Sequence, residues 1–319
     1  MKLLSEHLDE KTREWQRRSG SFLRDGEVYR TQLFESTVRR RDELLVELLR
    51  SLTASGSDHP VVLRLRDEIE AYVHRCDWCL LDTLHLAACQ REDPAILSQR
   101  LAASLLVYHG FRLLDDLFDD HSSYKGRFPT LLAKIEEFVT RRDRRLTFLT
   151  LPAVLLLLDG ACVVSTEVRE LAKQTINGMI IEKDCGKVLP EAKYRTLVNQ
   201  KSVSYGLILY IPVLEKVSLA VRGAVEDFVR ESIVVSQILN DLVDVKEDNR
   251  LEQPNFWLAA TCLETAAAQT LAEFTKLETR VLGLDPIFRP YAWNRLDSVG
   301  RYIIEIIEDG VALPSPAEL

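Results

Sequence analysis

The residues best placed to do chemistry are two groups of carboxylates. The first closes the run Tyr108-His109-Gly110-Phe111-Arg112-Leu113-Leu114-Asp115-Asp116-Leu117-Phe118-Asp119-Asp120. On a helix, Asp115 and Asp119 share a face one turn apart, with Asp116 about 100° round from Asp115. Like charges this close repel, and they oppose the local preference for cations at a helix C-terminus. A bound cation relieves both strains. Carboxylate oxygens suit a hard ion such as Mg²⁺, which usually binds through one or two carboxylates plus the phosphates of a substrate. The second group lies in Ser236-Gln237-Ile238-Leu239-Asn240-Asp241-Leu242-Val243-Asp244-Val245-Lys246-Glu247-Asp248. Here Asn240, Asp244 and Asp248 form one stripe with Asp241 beside it, while Ile238, Leu239, Leu242 and Val243 supply packing. A single acidic stripe is ordinarily a solvated face. Two such stripes on strongly apolar helices, opposed across a bundle, would cage metal ions and a diphosphate.

Such a cage needs helices, and the sequence offers little else. Gly and Pro are sparse, 13 and 11 in 319 residues, and apolar residues recur at three- and four-residue spacing. The spacing predicts helices over 36–53, 60–86, 94–120, 129–141, 153–159, 166–183, 189–209, 211–217, 220–247, 255–284 and 290–310. Pro60, Pro94, Pro129 and Pro190 stand at expected helix starts, where proline is tolerated. No run alternates apolar and polar residues over a strand's length. The expected fold class is all-α. Residues 1–35 are the least patterned and read as an N-terminal extension, either helical or a flexible arm, ahead of a single helical domain over 36–319.

Composition narrows the partners. Net charge is −8, which argues against nucleic acid, since phosphate backbones demand a surplus of Lys and Arg. The basic runs Arg39-Arg40-Arg41 and Arg141-Arg142-Asp143-Arg144-Arg145 therefore read as solvated helix faces or ends. Met1 to Asp25 is charged throughout and lacks a signal peptide's apolar core, so a cytoplasmic protein is expected. The longest apolar stretch, Leu149 to Val164, is interrupted by Asp159 and Gly160. It falls short of the roughly 20 apolar residues of a membrane span and reads as a buried helix. Cys76 and Cys79 form a lone C-x-x-C with no second pair at zinc-ligand spacing, and read as small core hydrophobes.

With these residues in place, the chain resembles the trans-isoprenyl diphosphate synthases and their terpene-cyclising relatives. Asp115-Asp116-Leu117-Phe118-Asp119 fits that family's DDxxD motif without a mismatch. Gln237-Ile238-Leu239-Asn240-Asp241-Leu242-Val243-Asp244 is similar to Q-x-x-D-D-x-x-D, with Asn in place of the first Asp. Gly178-Met179-Ile180-Ile181-Glu182 stands where G-Q-x-x-D is expected, and Lys201-Ser202 where the family has a diphosphate-binding Lys followed by Thr. Order and intervals agree over roughly Val73 to Phe256. The resemblance implies a class I isoprenoid synthase bundle of helices around a central cavity, a homodimer, and about three Mg²⁺ ions bridging substrate and protein. It implies metal ligation by Asp115, Asp116 and Asp119 on one side and by Asn240, Asp241, Asp244 and Asp248 on the other. Lys201 would stabilise the leaving diphosphate, with Arg75 and Lys125 as further cations and Gln237 as a polar group facing the substrate. Phe111, one turn before Asp115, would shorten the pocket to suit a C10 or C15 prenyl chain. His109 and Tyr108 read first as core residues, with a role as final proton acceptor as the alternative.

The departures from the family pattern discriminate among its members. Chain-elongating enzymes carry G-K-R-x-R-P before the first motif to hold isopentenyl diphosphate. This chain has Val73-His74-Arg75-Cys76-Asp77-Trp78, which keeps one cation and adds an acid. Arg-Arg-Gly after DDxxD becomes Tyr124-Lys125-Gly126, and lysine does not replace a bidentate guanidinium. The loop from Glu247 to Asn255 also lacks the family's Gly-Lys-x-Thr element. The allylic half is kept while the second diphosphate half is eroded, so the first expectation is a terpene synthase, a lyase acting on geranyl or farnesyl diphosphate. Asn240, Asp244 and Asp248 also match the spacing of the cyclases' N-D-x-x-S-x-x-x-E, though by identity only at Asn240 and Asp241. Arg301-Tyr302 is similar to a diphosphate-binding Arg-Tyr pair, at a shorter interval. The second expectation is a prenyltransferase using isopentenyl diphosphate or another acceptor, and the third an inactive subunit of a heteromeric prenyl synthase.

Overall fold

The computed structural model describes residues 1–54, 77–118, 165–185, 189–260 and 262–308, and these are helical with no strand among them. In chain order the helices are α1 (Lys2–Ser19), α2 (Phe22–Asp25), α3 (Glu27–Ala54), α4 (Leu81–Ala88), α5 (Pro94–Phe118) and α6 (Thr166–Asp184). Then follow α7 (Glu191–Val198), α8 (Ser204–Leu214), α9 (Leu219–Leu251), α10 (Phe256–Ala259), α11 (Leu263–Gly283) and α12 (Arg289–Glu308). A 3₁₀ turn over Asp77–Leu80 leads into α4, and a π turn over Asn199–Val203 joins α7 to α8. No described helix is long and apolar enough to cross a membrane.

The middle of the bundle is α8, buried at every position from Leu207 to Leu214. A helix apolar all round must be enclosed by others, and α5, α6 and α9 enclose it. Its contact with α9 is tight at Gly206, where an added Cβ would stand 2.9 Å from Ile233 Cδ1. Pro212 lies inside α8. The residues 189–209 and 211–217, expected as separate helices, are therefore one nearly continuous rod broken only by the π turn. Conversely, the expected helix over 255–284 is split into α10 and α11. Asn255 caps α10, its Oδ1 accepting from Trp257 N at 2.8 Å, and Ala260 then turns extended.

Residues 1–35 are helical and fixed to the bundle. Leu4, Leu8 and Trp15 are buried, Trp15 stacks on Phe274 at 5.4 Å between ring centroids, and its Nε1 donates to Glu278 Oε1 at 2.7 Å. α1 lies along α12, so close at Gly300 that an added Cβ would stand 2.8 Å from Thr12 Cγ2 and 2.9 Å from the Trp15 ring. The boundary expected at residue 36 falls inside α3, which runs unbroken from Glu27. One basic run also differs from expectation. Arg39 is solvated, whereas Arg41 is fully buried and donates to Asp42 Oδ1 at 2.7 Å. The reason is periodicity: Arg41 continues the inward stripe of Leu33, Thr37, Leu44 and Leu45. The expected helices 129–141 and 153–159, and the run 141–145, lie outside the described residues.

Candidate functional site

The site grows from a crossing of two helices that only glycine permits. At Gly178, in the middle of α6, an added Cβ would stand 2.6 Å from Lys201 N and 2.8 Å from Lys201 Cα. The backbone of the π turn is thus pressed directly onto α6. A π turn inserts one extra residue into a helix and re-aims the side chains around it. Here it brings Lys201 level with Glu182, one turn beyond Gly178. The ammonium meets Glu182 Oε2 at 2.5 Å, with the two side chains only 13% and 16% exposed.

The next residue on the π turn reaches α9. Ser202 Oγ donates to Gln237 Oε1 at 2.8 Å, and Gln237 Nε2 donates to Asp241 Oδ1 at 2.6 Å. Because a carboxylate only accepts, Asp241 fixes which way the Gln237 amide faces. Asp241 itself is buried. Its Oδ2 accepts from Tyr194 Oη at 2.6 Å and from Phe256 N at 2.6 Å. Burial raises the Asp241 pKa from 3.8 to about 6, although the bonds from Tyr194, Phe256 and Gln237 pull it down and Asp244 adds to the rise. The Tyr194 hydroxyl is pushed well above its ordinary value, first by burial and then by Asp241. Asn255 completes the framework, donating to Asp241 O at 2.6 Å and to Asp248 Oδ2 at 2.7 Å.

The second carboxylate stripe therefore divides into two sets. Asp241 and Asp248, expected among the metal ligands, are turned inward and engaged by donors from α7, α9, α10 and its cap. Asn240 is exposed and Asp244 half-buried, one turn apart. Oxygen-bearing side chains so arranged suit a hard cation whose shell is completed by water and phosphate. Among the described residues no three His, Cys, Asp or Glu side chains converge closely enough to hold a metal ion by themselves.

Of the first carboxylate group, Asp115 and Asp116 lie in the last turn of α5, for which the backbone alone is described. Asp119, Arg75 and Lys125 lie outside the described residues. Phe111 is fully buried, and His109 is buried with its ring edge-on to Tyr108 at 6.2 Å. Tyr108 stacks at 4.2 Å on Tyr205, which sits one turn after Lys201 on α8. Arg301 bonds to Asp297 Oδ1 at 2.7 Å and to Gln16 Oε1 at 3.0 Å on the α1–α12 face, and Tyr302 is half exposed there. That pair is not gathered with Lys201 or Gln237.

Sequence reasoning missed Tyr194 and Asn255, which hold the site's acids in place. Asn255 had a signal in Pro254-Asn255-Phe256, a capping residue before an apolar run; Tyr194 had none. A second polar cluster went unread as well. The Asp82 carboxylate pairs with Arg295 Nε at 3.1 Å and accepts from the Tyr210 hydroxyl, and Arg295 donates to Ser236 Oγ at 2.6 Å. Burial works against the Arg295 charge, but Asp82, Tyr210 and Tyr291 outweigh it and raise its pKa. This cluster ties α4, α8 and α12 to the residue beside Gln237. A scan of the chain against protein-family models finds no match, and a search of curated proteins finds none either.

Proposed function

We propose that this protein is a class I isoprenoid synthase that ionises an allylic prenyl diphosphate, and that it is a terpene synthase using a C10 or C15 substrate. The observation that carries the reading is the meeting of three separate sequence segments. Gly178-to-Glu182, Lys201-Ser202 and Gln237-to-Asp244 each resemble a motif of the family. They touch through Gly178 against the Lys201 backbone, Lys201 on Glu182, and Ser202 on Gln237.

The roles follow from charge and placement. Lys201 is shielded from water by its own helices, so its ammonium would stabilise charge building on a leaving diphosphate more strongly than an exposed lysine could. Asn240 and Asp244, together with Asp115, Asp116 and Asp119, would hold Mg²⁺. When bound, Mg²⁺ supplies neutralisation of the diphosphate and orientation of the bond that breaks. Gln237 has its amide pinned between Ser202 and Asp241, so it would present a fixed dipole to a bound substrate. Asp241 and Tyr194 act behind it as positioning residues. A dry pocket is needed to keep an allylic cation from water, and the stacked Tyr108 and Tyr205 are the residues proposed to line it.

The test is product analysis of purified protein with Mg²⁺ and geranyl or farnesyl diphosphate, each with and without isopentenyl diphosphate. A hydrocarbon or alcohol from the single substrate, lost in Asp115→Ala and Lys201→Ala, is the expected result. A longer prenyl diphosphate formed only with isopentenyl diphosphate would replace the terpene synthase with an elongase. No conversion under any of these conditions would overturn both.

A further inference from the structure

Lys201 already has an anion. Its ammonium lies 2.5 Å from Glu182 Oε2, and both side chains are largely shielded from solvent. The pair is held by backbone as well as by charge. Glu182 follows Gly178 by one turn on α6, and the Lys201 backbone is packed against that glycine, so the two helices cannot separate here without disturbing the bundle. A partly buried ion pair is screened far less than a surface one. Removing one partner leaves the other charge uncompensated in a poor solvent.

We infer that Glu182 is an internal counter-ion that sets how much negative charge a ligand must carry to engage Lys201. The inference rests on Lys201 being a diphosphate-binding residue. A ligand with one phosphate group offers the ammonium little more than Glu182 already provides, and it must also approach the Glu182 carboxylate. A diphosphate carries more charge over several oxygens. At the ammonium it can outweigh the Glu182 carboxylate. Glu182 is then a specificity-determining residue that rejects single phosphate groups and admits diphosphates. It acts through Lys201, not on the reacting carbon, and so counts as a positioning residue.

The experiment is calorimetric titration of the full chain, without Mg²⁺, with inorganic diphosphate and inorganic phosphate. Wild type is expected to bind diphosphate, to prefer it to phosphate by about 100-fold, and to lose that binding in Lys201→Ala. Glu182→Gln is expected to bind both anions more tightly, with phosphate gaining more, so that the preference falls about tenfold. Glu182→Asp, which keeps the charge on a shorter side chain, is expected to shift the preference less and in the same direction. A preference unchanged in Glu182→Gln, or an equal loss for both anions, would overturn the inference while leaving Lys201-dependent diphosphate binding intact. If circular dichroism shows Glu182→Gln unfolded, Glu182→Asp decides alone, and an unshifted preference there overturns it. If wild type shows no Lys201-dependent diphosphate binding, the role of Lys201 falls and the counter-ion role falls with it.

Discussion

Tyr194 donates its hydroxyl to Asp241 at 2.6 Å across the junction of α7 and α9, and both groups are buried. Asp241, one of the residues expected to hold a metal, thus has both carboxylate oxygens engaged by protein donors. Removing the hydroxyl in Tyr194→Phe leaves the acid short of a donor. The expected cost is about 1–3 kcal/mol of unfolding free energy, measured by urea denaturation. In a double-mutant cycle with Asp241→Asn, the two losses should be non-additive. Additive losses would mean the contact carries no energy.

Asp241 also predicts a pH dependence of stability. Its folded pKa is raised from 3.8 to about 6, burial being the largest cause. The folded chain therefore holds this proton more tightly than the unfolded chain does. The group's contribution to stability is complete below about pH 4, declines as the pH rises, and is lost by the time the pH passes about 6. Compared with Asp241→Asn in metal-free buffer, wild type should lose relative stability between those values and keep a constant difference above them. A difference that is flat from pH 4 to 7 would show the folded carboxylate already ionised at the acid end.

Gly178→Ala tests the helix crossing. The new methyl would stand 2.6 Å from a backbone nitrogen, so no side-chain rotation relieves the clash. Overpacking of this kind costs about 1–3 kcal/mol. Because the displaced atoms belong to Lys201, diphosphate affinity should fall together with the melting temperature. Gly223→Ala, which meets no atom within 4 Å, should leave affinity unchanged and serves as the control.

Trp15→Ala tests whether α1 is integral. The indole is fully buried, stacked on Phe274 and bonded to Glu278. The expected loss is about 3–5 kcal/mol, read as a fall in the denaturation midpoint. A loss under about 1 kcal/mol would return α1 to the status of a loose extension.

Particular residues show how far the sequence could be read. The start of α5 was legible at Asp93-Pro94, where a side chain accepts from Ala95 N at 2.9 Å and proline opens the first turn. The bounds of α6 and the start of α9 followed from apolar periodicity, while α9 runs four residues past its expected end at 247. The break expected between 209 and 211 is absent, and Pro212 is accommodated inside α8, which neighbouring helices enclose. The π turn left no mark either, since its extra residue is set by the close approach of Gly178 from another helix. In the site, spacing correctly put Asn240, Asp241, Asp244 and Asp248 along one helix. It could not say which of them turn inward. That depends on Tyr194, Asn255 and the Phe256 amide, partners supplied by other elements and visible only when the chain is folded.

The clasp between α1 and α12 has a consequence for synthesis of the chain. The surface that Leu4, Leu8 and Trp15 need is built by α11 and α12, which emerge from the ribosome more than two hundred residues later. At translation rates of about 5–20 residues per second, α1 waits on the order of ten seconds or more with its apolar stripe uncovered. This is a long interval for an amphipathic helix to stay clear of wrong partners. Of the described helices α1 is made first, and its apolar stripe is among the last to be covered.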